Sequence, residues 1–306
     1  MIYTLTLNPA IDRTIYTASL SKEDVTRVEK TIRDAAGKGI NTSKVLKQLS
    51  VDSICLGFIA GANGQFIQNS LEALDIKQNF ITVAGETREN IKLIEQSTHQ
   101  IYEINESGPT LHQAHLDILF KQLDSLKKDD ILILSGSAPK GVSSDIYETI
   151  IKTYPHLFTI LDSSGPLFKA GLNAKPNVIK PNKFELEQYA GRTLSTLEDI
   201  INVSKDILKS GIDYVFVSLG SSGSIVLSIN ETLHATVPSL KIKSTVGAGD
   251  SFVAGLAKTF NEKQSLEDIL RYASSVGSAS VLSEGTASVN ISDIDTLYNQ
   301  IKIKKI

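Results

Sequence analysis

From Leu116 onward the chain alternates between helix-spaced apolar residues and short runs that are apolar at every position. Leu116, Leu119, Phe120 and Leu123 recur at helical spacing, and Ile131-Leu132-Ile133-Leu134 follows without a polar residue. Such a run has no face to give to water, so both its sides must be covered, as in a parallel sheet between helices. Ile146, Ile150 and Ile151 mark the next helix. Phe158 to Leu161, Val178-Ile179 and Val215 to Val217 read as further strands. Repeated alternation of this kind restricts the chain to an α/β fold with a doubly wound, mainly parallel sheet flanked by helices. The strands end in Ser135-Gly136-Ser137, Asp162, Lys180-Pro181-Asn182 and Ser218-Leu219-Gly220. Small and polar strand ends predict a ligand crevice along one edge of the sheet.

The N-terminal part departs from this layering. Met1 to Leu7 reads as a strand that breaks at Asn8-Pro9, and Asp12 lies close to its end, placed to meet substrate hydroxyls or simply to sit in a surface turn. Arg13 to Ala18 and Val28 to Ile32 read as short half-exposed strands. Ile91 to Ile94 and Ile101 to Ile104 read as a hairpin. These segments, about 11–36 and 89–107, are expected to form a small β-sheet lid on a single 1–306 domain. Its core would comprise about 1–10, 37–88 and 108–306. Ile15, Ile91, Leu93, Ile101 and Ile104 would give the lid an apolar face, which predicts a homodimer that buries it.

Two glycine turns open helices. Thr245-Val246-Gly247-Ala248-Gly249-Asp250 precedes an apolar face of Phe252, Val253, Leu256 and Phe260. Ala36-Gly37-Lys38-Gly39-Ile40-Asn41 precedes Val45, Leu46 and Leu49. Free N–H groups and the positive dipole end at such starts favour an anion. Asp250 beside an anion site suits a base that takes a proton from a hydroxyl attacking a phosphoryl group; a plain aspartate cap is the simpler alternative. Neither turn fits the Walker-A spacing, and Asn8-Pro9 stands where a dinucleotide-binding glycine turn would follow the first strand.

Composition narrows the partners. The 306 residues carry a formal net charge of −3, which argues against broad nucleic-acid or anionic-membrane binding. Cys55 is the one cysteine, so no internal disulfide or cysteine-rich zinc site can form. The five histidines lack metal-ligand spacing. Neither a leader pattern nor a long apolar run is present, and a cytoplasmic protein is expected.

Taken together these residues resemble the ribokinase-like (PfkB) carbohydrate kinases, in the branch of tagatose-6-phosphate kinases and 1-phosphofructokinases. The likeness rests on Asn8-Pro9-Ala10-Ile11-Asp12, Gly37-Lys38-Gly39-Ile40-Asn41, Gly85-Glu86-Thr87-Arg88, Ser135 to Gly141, Val178 to Asn182 and Thr245 to Asp250. It implies Asp250 as general base, the N–H groups of Gly247, Ala248 and Gly249 as an anion hole, and Lys180 at the transferring phosphoryl group. Asp12, Gly39 and Asn41 would hold the sugar, and Arg27, Lys38, Arg88 and Ser137 its phosphate. Lys180, Asn182, Ser218, Gly220, Gly223 and Gly249 would meet the nucleotide. Glu185 would hold Mg2+ through water. The family's monovalent-cation loop falls on Ser244, Val246, Ser283 and Gly285, with Ser244 where ribokinase carries aspartate, so the resemblance leaves K+ open. Ala36, Thr42 and Ala62-Asn63 depart from the branch's usual residues.

The implied reaction is ATP-dependent phosphorylation of a ketohexose monophosphate to the 1,6-bisphosphate, of the tagatose-6-phosphate kinase or phosphofructokinase type. Action on fructose-1-phosphate is the alternative. A non-catalytic sugar-phosphate sensor would be expected to have lost Asp250 or its glycines, which are present.

Overall fold

A computed structural model describes residues 1–21, 23–283 and 285–306. The chain opens with β1 (Ile2–Thr6), leaves the main body as β2 (Ala10–Thr17) and β3 (Lys30–Ala36), and returns in α1 (Lys38–Gln48), β4 (Ser53–Ala60), α2 (Gly61–Ala73) and β5 (Lys77–Val83). A second excursion forms β6 (Arg88–Glu95) and β7 (Gln100–Asn105). Helices and strands then alternate through α3 (Gln113–Leu123), β8 (Ile131–Ser135), α4 (Ile146–Thr153), β9 (Phe158–Asp162), α5 (Gly165–Leu172) and β10 (Val178–Ile179). They continue as α6 (Lys183–Ala190), α7 (Leu197–Lys209) and β11 (Tyr214–Ser218). The chain ends with β12 (Ser224–Leu227), β13 (Thr232–Thr236), α8 (Ala248–Asn261), α9 (Leu266–Ser280), α10 (Ile291–Gln300) and β14 (Lys302–Lys305).

The large sheet has the order β14-β13-β12-β11-β10-β9-β8-β1-β4-β5. It is parallel from β5 to β11 and antiparallel from β11 to β14. Strand parity accounts for the continuous apolar runs. Leu132 and Leu134 pack with residues of α3 to α7 on one face, whereas Ile131 and Ile133 pack with α1, α8, α9 and α10 on the other. Each such side chain contributes about 1.5–3 kcal/mol by leaving water. β5 and β12 to β14 had no counterpart in the sequence reading. β5 is an edge strand that begins with the polar Lys77-Gln78-Asn79, so its pattern lacks the apolar run of a central strand. No helix among the described residues is long and apolar enough to cross a membrane.

The smaller sheet has the order β3-β2-β6-β7. Its base is the row Ala36, Ala10 and Arg88, where β2 pairs antiparallel with β3 and parallel with β6. Ile11 and Ala35 join Ile40, Ile67 and Leu71 in a buried cluster, and Arg33 lies 4.9 Å over the Phe66 ring of α2. The register corrects one expectation. Ile104 opposes Ile91, and Leu93 opposes Ile15, but Ile101 opposes Ile94. Because side chains alternate, Ile101 is on the opposite face from the other four isoleucine and leucine residues grouped with it.

Candidate active site

The helix start at Gly247 requires glycine. Its φ of 80° is left-handed, and a Cβ there would lie 2.7 Å from the backbone nitrogen of Ala287. The turn brings α8 in with the N–H groups of Gly247 and Gly249 lacking a backbone partner among the described residues, while that of Ala248 makes a long 3.4 Å contact to the Thr245 carbonyl. Asp250 occupies the first turn of α8 and is buried.

The two glycine-led helix starts meet. Asn41 Nδ2 of α1 donates to Asp250 Oδ2 at 2.8 Å, and Thr42 Oγ1, which donates to the Lys38 carbonyl at 2.9 Å, also lies 3.3 Å from the Asp250 carbonyl. The Thr42 hydroxyl thus bonds within α1 and approaches α8 at the Asp250 carbonyl, so Asn41 is the stronger tie between the two helices. Gly39 packs flush against the ends of β1 and β8: a Cβ on it would fall 2.4 Å from Thr6 Oγ1 and 3.2 Å from Ser135 Oγ. Neither hydroxyl, nor Asn41 Oδ1, has a hydrogen-bond partner among the described residues. The site thus contains buried polar atoms of the kind that a hydroxylated ligand satisfies.

Three charged side chains complete this centre. Asp162, at the end of β9, lies 3.1 Å from Lys38 Nζ and 3.3 Å from Lys180 Nζ. A Cβ on Gly249 would be 3.5 Å from Lys180 Nζ, so that ammonium faces the start of α8. Burial works against ionised Asp162, but Lys180 and Lys38 outweigh it and hold the carboxyl below the usual aspartate range. Burial likewise opposes the Lys38 ammonium, yet Asp162, Asp250 and Glu185 keep its pKa above that of ordinary lysine. Asp250 behaves differently. Burial and the nearby Asp162 charge push it up to about 6, against Lys38, Asn41 and Lys180. It is ionised at neutral pH and close to the range in which a base both accepts and releases protons.

Asp162 was seen in the sequence as a strand end and not as part of the site. An aspartate closing a parallel strand at the ligand edge is the signal that could have marked it. Glu185 accepts the Asn182 N–H at 2.8 Å while Asn182 Oδ1 accepts the Glu185 N–H at 2.8 Å, a capping box at the start of α6. The other carboxylate oxygen, Oε1, is 3.9 Å from Lys38 Nζ.

A cavity of about 870 Å³ adjoins the start of α8. Asn182, Ser218, Gly220, Gly223 and Gly249 line it, which brings together all the nucleotide candidates except Lys180. Its size is within the range of sites that enclose a small molecule.

At the base of the small sheet, Asn90 Nδ2 donates to Asp12 Oδ1 at 2.9 Å. Burial raises the Asp12 pKa, with Asn90 and Arg88 opposing. Arg88 Nε donates to the Asn8 carbonyl at 3.2 Å, and its two terminal nitrogens have no protein hydrogen bond among the described residues. Burial pulls the Arg88 pKa down against the Asp12 charge, though a guanidinium stays protonated. Ser137 is exposed on the turn after β8, next to Gly136, whose missing Cβ would lie 4.0 Å from Lys38 Cβ.

Arg27 is not brought to these groups. It is exposed between β2 and β3, and its carbonyl accepts from Thr17 Oγ1 at 3.1 Å. Thr17 ends β2, seven residues from Ala10 and therefore about 23 Å along the strand from the base of the sheet. Of the cation-loop candidates, Ser244 is held to the end of α9: the N–H groups of Lys243 and Ser244 donate to the Val281 carbonyl at 2.8 and 3.4 Å, and Val246 N–H reaches Ser244 Oγ at 3.2 Å. Ser283 N–H is bonded to the Ser280 carbonyl at 3.3 Å, and Gly285 has φ 95°.

A cavity ending at a helix N-terminus, a buried carboxylate on that helix and two lysines facing it form a set suited to phosphoryl transfer. The comparisons agree. Residues 5–293 match the pfkB family of carbohydrate kinases. The chain is 34% identical to a tagatose-6-phosphate kinase of Staphylococcus epidermidis, over 100% of both chains. It is 33% identical to a 1-phosphofructokinase of Borreliella burgdorferi, over 100% of this chain and 99% of that one. The crystal structure of phosphofructokinase-2 from Escherichia coli in complex with potassium superposes with a TM-score of 0.92 at 28% identity, covering 98% of each chain. By sequence and by structure, this chain belongs to the pfkB family of carbohydrate kinases.

Proposed function

We propose that this carbohydrate kinase transfers the γ-phosphoryl group of ATP to a hydroxymethyl group of a ketohexose monophosphate, giving the 1,6-bisphosphate. The observation that carries the reading is the position of Asp250: it is held by Asn41 at the helix start that ends the cavity, with Lys38, Lys180 and Asp162 around it. ATP occupies the cavity, with its phosphates toward the N–H groups of Gly247, Ala248 and Gly249. Asp250 accepts the hydroxyl proton as the oxygen attacks phosphorus. Lys180 and the α8 amides stabilise the charge that spreads over the phosphoryl oxygens. Asp12, Gly39 and Asn41 orient the sugar, and Lys38, Arg88 and Ser137 meet its existing phosphate. Arg27 takes no part within one chain.

Mg2+ is a hard cation that needs few protein carboxylates when it arrives on ATP, and it neutralises phosphate charge there. Glu185 Oε1, the oxygen outside the capping box, fits that need, although no group of three acidic or histidine side chains gathers among the described residues. Were K+ required, the Ser244, Val246, Ser283 and Gly285 stretch would hold it, with Ser244 offering a hydroxyl in place of a carboxylate. Coupled-assay kinetics on tagatose-6-phosphate, fructose-6-phosphate and fructose-1-phosphate test the reading. Preference for fructose-1-phosphate would move the chain to the 1-phosphofructokinase side. Lack of turnover on all three would reject it.

The base assignment has a pH consequence. Activity on the free enzyme and substrate, kcat/KM, is expected to fall as pH drops through about 6, because protonated Asp250 cannot accept the hydroxyl proton. Asp162→Asn removes a neighbouring negative charge and leaves Lys38 and Lys180 less compensated. Both effects favour ionised Asp250, so the acid limb should move to lower pH. An unmoved or raised limb would show that Asp162 does not act on the base.

The small sheet is a lid over this site, and we expect two lids to pack together in a homodimer. β7 is exposed along its length, with Ile104 57% and Ile101 55% accessible on opposite faces. A two-layer arrangement covers one of these faces. Light scattering should give twice the chain mass, and a monomer at high concentration with the fold intact would reject the arrangement.

A further inference from the structure

The loop that delivers Arg88 is bolted to the start of α2 by side chains that have no place in the chemistry. α2 has no acidic residue in its first turn, and its N-cap, Ala60, offers no side-chain acceptor. The acceptor comes from elsewhere in the chain: Glu86 Oε1 takes the N–H of Asn63 at 2.6 Å, and Glu86 Oε2 that of Ala62 at 3.3 Å. A carboxylate at a helix N-terminus is stabilised by the free N–H groups and the dipole. Gly61 makes room for it. Its φ is 61°, and a Cβ there would lie 2.1 Å from Glu86 Oε2. The next residue is held as tightly. Thr87 Oγ1 accepts the Ala60 N–H at 2.8 Å, Thr87 N–H donates to the Ala60 carbonyl at 2.9 Å, and Asn63 Nδ2 donates to the Thr87 carbonyl at 2.9 Å.

Arg88 follows directly. With the backbone pinned on one side, its Nε bonds the Asn8 carbonyl on the other. The terminal N–H groups of the guanidinium have no hydrogen-bond partner among the described residues. Glu89, the other acidic neighbour, pairs instead with Arg33 at 3.0 Å and Arg13 at 3.4 Å. Glu86 is thereby kept from pairing with Arg88, and its charge is spent on the α2 amides.

We propose that Glu86 is a positioning residue for sugar-phosphate binding: its carboxylate, seated over Gly61 on the start of α2, sets where Arg88 presents its guanidinium. The proposal rests on the reading of Arg88 as a phosphate ligand, and the measurements separate the two. Placement of a binding group matters steeply, since a shift of about 1 Å can cost on the order of a hundredfold. Glu86→Ala should raise KM for the sugar phosphate about tenfold, with kcat within about twofold and KM for ATP unchanged. Gly61→Ala, which drives a methyl group into the carboxylate's place, should do the same. Glu86→Gln retains one acceptor for the Asn63 N–H and should recover most of the loss. In an Arg88→Ala background, Glu86→Ala should add less than about twofold, because residues that act through one contact are not additive.

An unchanged sugar-phosphate KM in Glu86→Ala overturns the proposal. So does an equal rise in both KM values with a lowered Tm, which a merely structural cap would give, and so does a full additional loss in the Arg88→Ala background. If Arg88→Ala is selective for phosphorylated sugar but Glu86→Ala is not, the proposal alone falls. If Arg88→Ala is itself unselective, the reading of Arg88 falls and takes the proposal with it.

Discussion

Asp250→Asn is expected to lower kcat by roughly 10²–10⁴ while sugar-phosphate affinity stays nearly unchanged. Asparagine keeps the shape and can still accept from Asn41 Nδ2, so the tie between α1 and α8 survives. The approach of Thr42 Oγ1 to position 250 is to the main-chain carbonyl, which the substitution leaves alone. What is lost is the proton acceptor. Stability should not fall with it. The folded-state pKa of Asp250 is raised to about 6 from an ordinary 3.8, so its ionisation opposes folding. That opposition is absent below the ordinary value and complete above about 6. At neutral pH, removing the charge therefore relieves at most on the order of 3 kcal/mol. The expected pattern is a Tm equal to or above the parent's with activity largely gone. If kcat stays within a few-fold of the parent, Asp250 is not the base. If Tm collapses, the loss of rate reports unfolding and the variant says nothing of proton transfer, so both are measured on one preparation.

Much of this centre was legible because its parts are local. A strand covered on both faces must be apolar throughout, so Ile131 to Leu134 announced the parallel sheet and its flanking helices. The turns at Gly37 and Gly247 announced two helix starts. What could not be read was how distant groups meet. Asp162 is an ordinary strand-end aspartate until β9 lies between the strands that carry Ser135 and Lys180, where it reaches both Lys38 and Lys180. The resemblance groups Arg27 with the phosphate ligands, but β2 and β3 run away from the base of the small sheet and carry it to the far end. The face of Ile101 was readable. Ile91 and Ile94 are an odd number of residues apart, as are Ile101 and Ile104, so neither pair can share a face. The edge strands β5 and β14 were hidden for a different reason, since an edge strand needs less apolar surface and mixes polar residues into its pattern.

Arg88→Ala is expected to lose roughly 2–5 kcal/mol of kcat/KM on the sugar phosphate. The magnitude is that of breaking a charge pair shielded from water, and it is much larger than the about 0–1 kcal/mol of a surface ion pair. The competing role for Arg88 is a surface ion pair with Glu86 or Glu89. The contacts leave little support for it, since Glu86 caps α2 and Glu89 is engaged by Arg13 and Arg33. Arg88 instead lies beside Asp12 at the base of the small sheet, tethered through Nε so that its planar fork is free for two phosphate oxygens. In a protein of slightly negative net charge, local groups of this kind must supply the attraction for a dianionic substrate. Truncation should therefore act on the phosphorylated sugar alone. Weak turnover of plain fructose or tagatose should hardly change, because neither carries the group that Arg88 holds, and KM for ATP should be close to the parent's. The decisive comparison is the ratio of kcat/KM values for phosphorylated and unphosphorylated sugar, measured for parent and variant at one ionic strength. A ratio that falls by the full expected factor assigns the phosphate to Arg88. Equal losses on both sugars would mean that Arg88 only holds the two sheets together through Asn8, and the substrate phosphate would then have to be met by Lys38 and Ser137.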